Sequence, residues 1–132
     1  MKQHIGYNAL LVKDYDEAIT YYTRTLGFVL IEDTPLDDGK RWVLVAARDS
    51  QATRLLLARA VNPQQRTRIG NQTAGPVFLF LHTDEFWTHY HDLKLRGVHF
   101  TKEPWNEGYF RGALLLSRGC GQECPRSRTF PQ

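Results

Sequence analysis

The chain repeats one pattern twice, at a separation of 70 residues. In the first copy an apolar run leads into a helical pattern, where Asp14 stands 13 residues before Gly27. In the second copy a similar run leads into a similar pattern, where Asp84 stands 13 residues before Gly97. A unit that returns with the same spacing indicates one supersecondary module used twice. Two modules of this size can enclose a pocket between them, so the repeat bears on function as well as on fold.

The first copy predicts a β-α-β-β-β module over residues 1–61. Asp14 is the expected N-cap of the helix and forms a capping box with Glu17, while Gly27 is the expected stop. Short apolar runs bounded by turn residues are typical of strands. The helix is predicted at 14–26 and the strands at 5–12, 28–32, 41–47 and 54–59.

A linker at residues 62–76 precedes the second module, predicted at residues 77–117. Its helix is expected to start at an Asp84 cap and to end at Gly97. The predicted strands lie at 77–83, 98–102 and 109–117. From residue 118 the tail is rich in Gly, Pro, Arg and Cys and has no strand pattern, so the last strand is expected to be missing or irregular. The fold class is therefore α+β.

Charge and composition exclude several classes of function. The chain has 132 residues and a net charge of +3, and the tail from Arg118 holds three arginines against one glutamate. Because the body is nearly neutral, it has no basic stripe of the kind that binds nucleic acid. No run has the roughly 18 to 20 apolar residues of a spanning helix, and the first residues have no signal-peptide pattern. We therefore expect a cytoplasmic protein, with Cys120 and Cys124 as reduced thiols.

At this level of detail the sequence resembles a known family. The segments ALLVKDYDEAITYYTRTLGFVLIEDTPL, VFLFLHTDEFWTHYHDLKLRGVHFTKEPW and GNQTAG resemble the glyoxalase, bleomycin-resistance and extradiol-dioxygenase superfamily, also called vicinal oxygen chelate proteins. The resemblance covers residues 5–110. It implies two β-α-β-β-β modules whose sheets curl around a central cavity, usually within a homodimer.

The resemblance also implies four positions at which many members hold a divalent metal. The first falls on Tyr7, the second on Leu56, and the third on Val77 or, with a shift of one residue, on Phe78. The fourth belongs to a turn and strand that the tail lacks. Since aliphatic side chains cannot ligate a metal, we expect neither a metal nor another cofactor. The five histidines are scattered, and we interpret them as surface or rim residues: His4, His82, His89, His91 and His99.

The metal-free members of the family bind drugs or other small molecules, and the sequence favours this function. Strand residues alternate between faces, so position 7 would face the cavity together with Ala9, and position 56 together with Arg54. A cavity arginine can bind a carboxylate or phosphate, and aromatic rings can stack on a flat ligand. No catalytic residue is predicted. The predicted ligand-binding residues are Tyr7, Trp42, Arg54, Leu56, Val77, Trp105 and Tyr109.

Two alternatives stay open at this stage. The chain could be a metal-dependent lyase, isomerase or dioxygenase of the same fold, with ligands at other positions. It could also be a non-functional relic, since the abrupt change of composition in the tail resembles a shifted reading frame. A missing last strand would leave an open sheet edge, which either the tail or a partner strand should cover.

Overall fold

A computed structural model describes residues 1–74 and 78–98, together with two further strands at 113–116 and 127–130. The strands are β1 (Tyr7–Val12), β2 (Val29–Pro35), β3 (Arg41–Ala46), β4 (Arg54–Arg59), β5 (Leu79–His82), β6 (Ala113–Leu116) and β7 (Ser127–Phe130). The helices are α1 (Tyr15–Thr20), which continues as a π-helical turn (Tyr21–Thr25), α2 (Pro63–Arg66) and α3 (Phe86–Leu95), and a short 3₁₀ turn spans Asp37–Gly39. Within these described ranges, every helix is too short or too polar to cross a membrane.

The first module folds as the sequence predicts. Its four strands form one sheet in the order β1-β4-β3-β2. The first and last strands of the module are parallel neighbours, whereas β3 pairs antiparallel with both β4 and β2. A parallel pair needs a long crossover connection, which α1 and the β2–β3 hairpin supply. The predicted α+β class and the β-α-β-β-β order are confirmed for this module; its boundary at residue 61 stays a prediction.

One hydrophobic core joins the first helical segment and α3 to the sheets. Alternate residues of β1, β3 and β4 point to the α1 side and are almost fully buried: Leu10, Val12, Val43, Val45, Leu55 and Leu57. They pack with Ala18, Tyr22 and Leu26 of the first helical segment. Phe86, Tyr90 and Leu93 of α3 belong to the same cluster. Burial of this apolar surface is the main force that holds the two halves of the chain together.

The ends of the two main helices differ. Asp14 has extended backbone angles and accepts a hydrogen bond from the Glu17 amide at 2.9 Å, as a capping residue should. The predicted Asp84 cap is wrong. The chain stays non-helical through Glu85, which occupies the cap position without a side-chain hydrogen bond. The reason is local, because the Thr83 hydroxyl accepts the Glu85 amide hydrogen at 3.3 Å and so delays the helix.

The second sheet departs from the repeat. Its order is β5-β6-β7, and both pairings are antiparallel. The last strand, which the sequence predicts to be missing or irregular, is not missing, since β7 lies in the tail and pairs with β6 from Leu116↔Ser127 to Ala113↔Phe130. Pairing of β7 with β6 satisfies backbone N–H and C=O groups that an open edge would leave free. This stabilisation outweighs the poor strand pattern of the tail. The strand predicted at 98–102 lies outside the described residues from position 99 onward.

The linker is fastened to the free edge of β1 by one side chain. The amide of Gln72 accepts a hydrogen bond from the Leu11 backbone N–H at 3.0 Å and donates one to the Leu11 carbonyl at 2.7 Å. It thus satisfies both backbone groups of a strand residue, as a neighbouring strand would. The partly buried contact joins residues 61 positions apart, so the linker lies along the sheet edge that β4 does not cover.

We predict that Gln72→Ala lowers the free energy of unfolding by about 1 to 3 kcal/mol, because it leaves two partly buried backbone groups without partners. Chemical denaturation measures this change. Gln64→Ala is the matched control, since Gln64 is exposed on α2. Equal stability of the two variants would contradict the role assigned to Gln72.

Candidate functional site

The face of the first sheet opposite α1 carries all four of the predicted ligand-binding residues that the structure describes. The parallel register places Tyr7 beside Arg54 and Ala9 beside Leu56. Tyr7 and Ala9 are exposed, whereas Arg54 and Leu56 are half-buried. Leu55, between Arg54 and Leu56, faces the core, as do Leu10 and Val12 further along β1, whereas Asn8 between Tyr7 and Ala9 is exposed. The alternation expected from the sequence therefore places these four side chains on one face, away from the helix.

Trp42 joins this face from β3. In the antiparallel register Leu44 lies opposite Leu56. Trp42 is two residues from Leu44 on β3, so it lies in the next row of cross-strand neighbours on this face. The rings of Tyr7 and Trp42 nevertheless meet edge to face, with their centroids 6.0 Å apart. Tyr7 and Trp42 therefore lie on either side of the row formed by Ala9, Leu56 and Leu44, and their rings meet over it. An aromatic pair above an aliphatic row provides flat apolar surfaces for a ligand.

Arg54 differs from the other arginines of the first sheet. Arg41 forms ion pairs with Asp33 at 2.6 Å and with Asp16 at 2.9 Å, and Arg59 lies over the ring of Tyr15 at 5.5 Å. In the described part of the chain, the Arg54 guanidinium forms neither an ion pair nor a side-chain hydrogen bond. A half-buried guanidinium beside an open apolar face can bind an anionic group.

The other three predicted site residues cannot be located. Val77, Trp105 and Tyr109 lie outside the described residues. Their place in the site stays a prediction.

The described family metal positions do not fit a metal. Leu56 lies opposite Ala9, so the middle of the face is aliphatic. Of the two family positions Tyr7 and Leu56, Tyr7 has an oxygen atom that could ligate a metal, whereas Leu56 has no such atom. Across the residues that the structure describes, no three His, Cys, Asp or Glu side chains are grouped as metal ligands would be. Divalent metals such as Zn²⁺ are held by three or four protein N, O or S atoms, and this face does not supply them.

A concave region lies between the two modules, and no pattern in the sequence predicts it. It has a volume of about 690 Å³. The first module contributes the turn after the π-helical segment and the turn after β3, and the second contributes the end of β5 and one side of α3. We call this region the junction groove. Its lining residues are Leu26, Gly27, Phe28, Ala47, Arg48, Asp49, Leu81, His82, Thr83, Asp84, Glu85, Thr88, His89, Asp92 and Arg96.

No single motif marks the junction groove in the sequence, because its walls come from four separate segments. What the sequence does predict is a turn at the end of each apolar run. Asp49 stands in such a turn with a positive φ of 58°, and the Ser50 amide donates to the Ala47 carbonyl across it at 3.2 Å. Local patterns predict such turns, but they do not predict which turns meet.

His89 is the titratable group of the junction groove with a perturbed pKa. Burial lowers the pKa of His89 below its ordinary value, and the nearby Arg96 acts in the same direction. The Asp92 carboxylate opposes both effects without reversing them. The imidazole is therefore neutral at neutral pH and can accept a hydrogen bond.

We predict that His89→Gln reduces the loss of stability in mild acid. Above pH 6.5 both the folded and the unfolded chain hold this residue neutral. As the pH falls below 6.5, the unfolded chain binds the proton first, so the folded state becomes less stable until its own lowered pKa is passed. Unfolding free energies measured across this window should fall less for His89→Gln than for the natural chain. His4→Gln, at an exposed position, should retain the natural slope; a natural slope in His89→Gln as well would contradict the prediction.

Solved structures with the same architecture include one antibiotic binding protein. UcmS2 superposes with a TM-score of 0.74 at 22% identity, over 96% of this chain and 97% of that one. TnmS3, an antibiotic binding protein from Streptomyces sp. CB03234, superposes with a TM-score of 0.67 at 25% identity, over 99% of this chain and 98% of that one.

Sequence relatives agree with this architecture. An uncharacterized protein from Shewanella frigidimarina (strain NCIMB 400) is 50% identical over 110 residues, which are 83% of this chain and 82% of the relative. The protein YurT of Bacillus subtilis (strain 168) is 36% identical over 105 residues, 76% of this chain and 80% of the relative. The model of one family matches residues 4–116, which is most of the chain. The chain belongs to the Glyoxalase/Bleomycin resistance protein/Dioxygenase superfamily.

Proposed function

We propose that this protein binds and sequesters a small organic molecule on the open face of the first sheet, as bleomycin-resistance proteins do, without a metal or another cofactor. The observation that carries the proposal is the contact between Tyr7 and Trp42 across an aliphatic row, with Arg54 beside Tyr7 in the register. This arrangement offers flat apolar surfaces and one cation. The matching ligand is a flat, largely apolar molecule with a carboxylate or phosphate group.

The arrangement of charges supports an anionic ligand. Arg41 and Arg59 are engaged by carboxylates or by an aromatic ring on the first module, whereas Arg54 has no such contact among the described residues. A guanidinium placed against apolar surface attracts an anion more strongly than one in bulk water, since the local dielectric constant is lower. The aromatic pair supplies contact area and Arg54 supplies orientation and specificity.

The relatives support binding more directly than catalysis. TnmS3, at 25% identity over nearly the whole chain, is an antibiotic binding protein. The two family metal positions on the described face, Tyr7 and Leu56, do not provide a ligand set. A superfamily with many chemistries does not define an activity by its fold, so the proposal depends on the site itself. Val77, Trp105 and Tyr109 are proposed to complete the site.

We also propose that the protein is a cytoplasmic homodimer, as the sequence and the family resemblance indicate. Light scattering coupled to size-exclusion chromatography measures the mass in solution, where one chain has a mass of 15.3 kDa. A mass near that of two chains supports the dimer, and a mass near that of one chain contradicts it.

We predict that Arg54→Ala weakens binding of 2-naphthoate, a flat aromatic carboxylate, by about tenfold or more, because a charge-assisted hydrogen bond is lost. Binding of the neutral isostere 2-naphthamide should stay nearly unchanged. Trp42→Ala should weaken both compounds, since it removes apolar contact area. Isothermal titration calorimetry measures the three Kd values for each compound, and thermal unfolding should show that Arg54→Ala barely alters stability.

Arg68→Ala is the matched control, because it removes one exposed cation of the linker and causes the same change of net charge. If Arg54→Ala and Arg68→Ala weaken 2-naphthoate equally, the effect is one of overall charge and Arg54 leaves the site. If the natural chain binds neither compound, the proposed aromatic ligand class is wrong. About one tightly held metal per chain in elemental analysis would instead favour the lyase or dioxygenase alternative.

A further inference from the structure

The junction groove is a separate site from the open sheet face. Its first-module wall includes Leu26 and Phe28, which belong to the core cluster on the α1 side of the sheet. The open face lies on the other side of the same sheet, and Tyr7 and Trp42 do not line the groove. A volume of about 690 Å³ lies within the range that holds small ligands. A ligand in this groove would contact both modules at once.

The walls of the groove have a negative balance of charge. Four carboxylates and two guanidiniums line it. One guanidinium is already engaged, because Arg96 forms an ion pair with Asp92 at 3.0 Å and donates to the Arg24 carbonyl at 3.3 Å. The remaining charged groups of the lining are three carboxylates and one guanidinium: Asp49, Asp84, Glu85 and Arg48.

The other lining groups suit an organic ligand. Half-buried Ala47 of the first module and half-buried Leu81 of the second supply apolar surface, beside the almost fully buried Leu26 and Phe28. His89 is half-buried on α3 and lies beside this surface. Polar and charged side chains form most of the rest of the lining, so the groove suits an organic ligand that carries a polar group. Because the carboxylates outnumber the available guanidinium, the favoured ligand is a cation.

We propose that the junction groove is a second ligand site, which binds small organic ammonium ions with an apolar body. The ammonium group lies among the carboxylates of Asp49, Asp84 and Glu85, and the apolar body lies against Ala47 and Leu81. Such a ligand joins the first module to the second, so it also stabilises the contact between them. This site has the opposite charge preference from the one proposed for the open sheet face, and neither proposal depends on the other.

The test is a series of three compounds that share a phenyl ring and differ in charge: 2-phenylethylamine as the cation, 2-phenylethanol as the neutral analogue and 3-phenylpropanoate as the anion. Each is titrated into the ¹⁵N-labelled full-length chain, and amide chemical shifts are followed by NMR. We expect the cation to bind most tightly, and its shifts to map to Asp49, Thr83 and Thr88 rather than to Tyr7 and Leu56.

Variants without single carboxylates sharpen the test. Asp49→Asn and Glu85→Gln should each weaken the cation by about two- to fivefold, the range of partly exposed charge pairs, and should leave 2-phenylethanol unchanged. Asparagine tolerates the positive φ of position 49. Asp37→Asn is the matched control, because it removes one exposed carboxylate in the β2–β3 turn.

Three outcomes of the titrations would overturn the proposal. They are an equal or stronger response to the anion, cation shifts centred on the sheet face, and no response to the cation at about 10 mM, well above the concentration expected for a weak specific site. A result in which Asp37→Asn weakens the cation as much as Asp49→Asn would also overturn it, since attraction would then be to the whole protein. Amide shift changes at Tyr7 and Leu56 on addition of the anion would concern the proposed sheet-face site and not the junction groove.

Discussion

The parallel pairing of β1 with β4 is the constraint on which the rest of the first module depends. It brings together the first and last strands of the unit, in the register Tyr7↔Arg54 to Val12↔Arg59. The chain can close this pair only by a crossover, and α1 covers one side of the sheet in doing so. The other side does not pack on α1, and an exposed tyrosine, a half-buried arginine and an aliphatic row occur together there. The candidate site is thus a consequence of the topology.

Elements whose signals are local could be predicted from the sequence. The Asp14 cap, the Gly27 stop and all four strands of the first module follow from capping chemistry and apolar runs, and the β4 bounds match the structure. The alternation of β1 and β4 then predicts which side chains share the open face. The contact between the Tyr7 and Trp42 rings could not be predicted, because it depends on how far the side chains reach across two rows.

Features that depend on distant contacts could not be predicted. The tail strand β7 has no clear pattern of its own and is stabilised by pairing with β6. The Gln72 contact joins residues far apart in sequence, and an isolated glutamine in a loop gives no sign of it. The junction groove is built from four segments, so its charge balance exists only in the folded chain. The predicted Asp84 cap is also wrong because of a local contact that the pattern does not encode: the Thr83 hydroxyl accepts the Glu85 amide hydrogen.

The two glycines that mark the repeat show how equal sequence signals acquire different roles. Gly27 and Gly97 both have a positive φ, at 77° and 92°, as expected after a helical segment. A Cβ atom at position 97 would meet open space, whereas one at position 27 would lie 3.3 Å from Nη1 of Arg96. That same nitrogen donates to the Arg24 carbonyl at the end of the first helical segment. Gly27 is therefore required by backbone conformation, and a side chain there would also press on the contact between the modules, whereas Gly97 is required by conformation alone. The internal repeat explains the fold of each module, and the departures from the repeat create the surface where the modules meet.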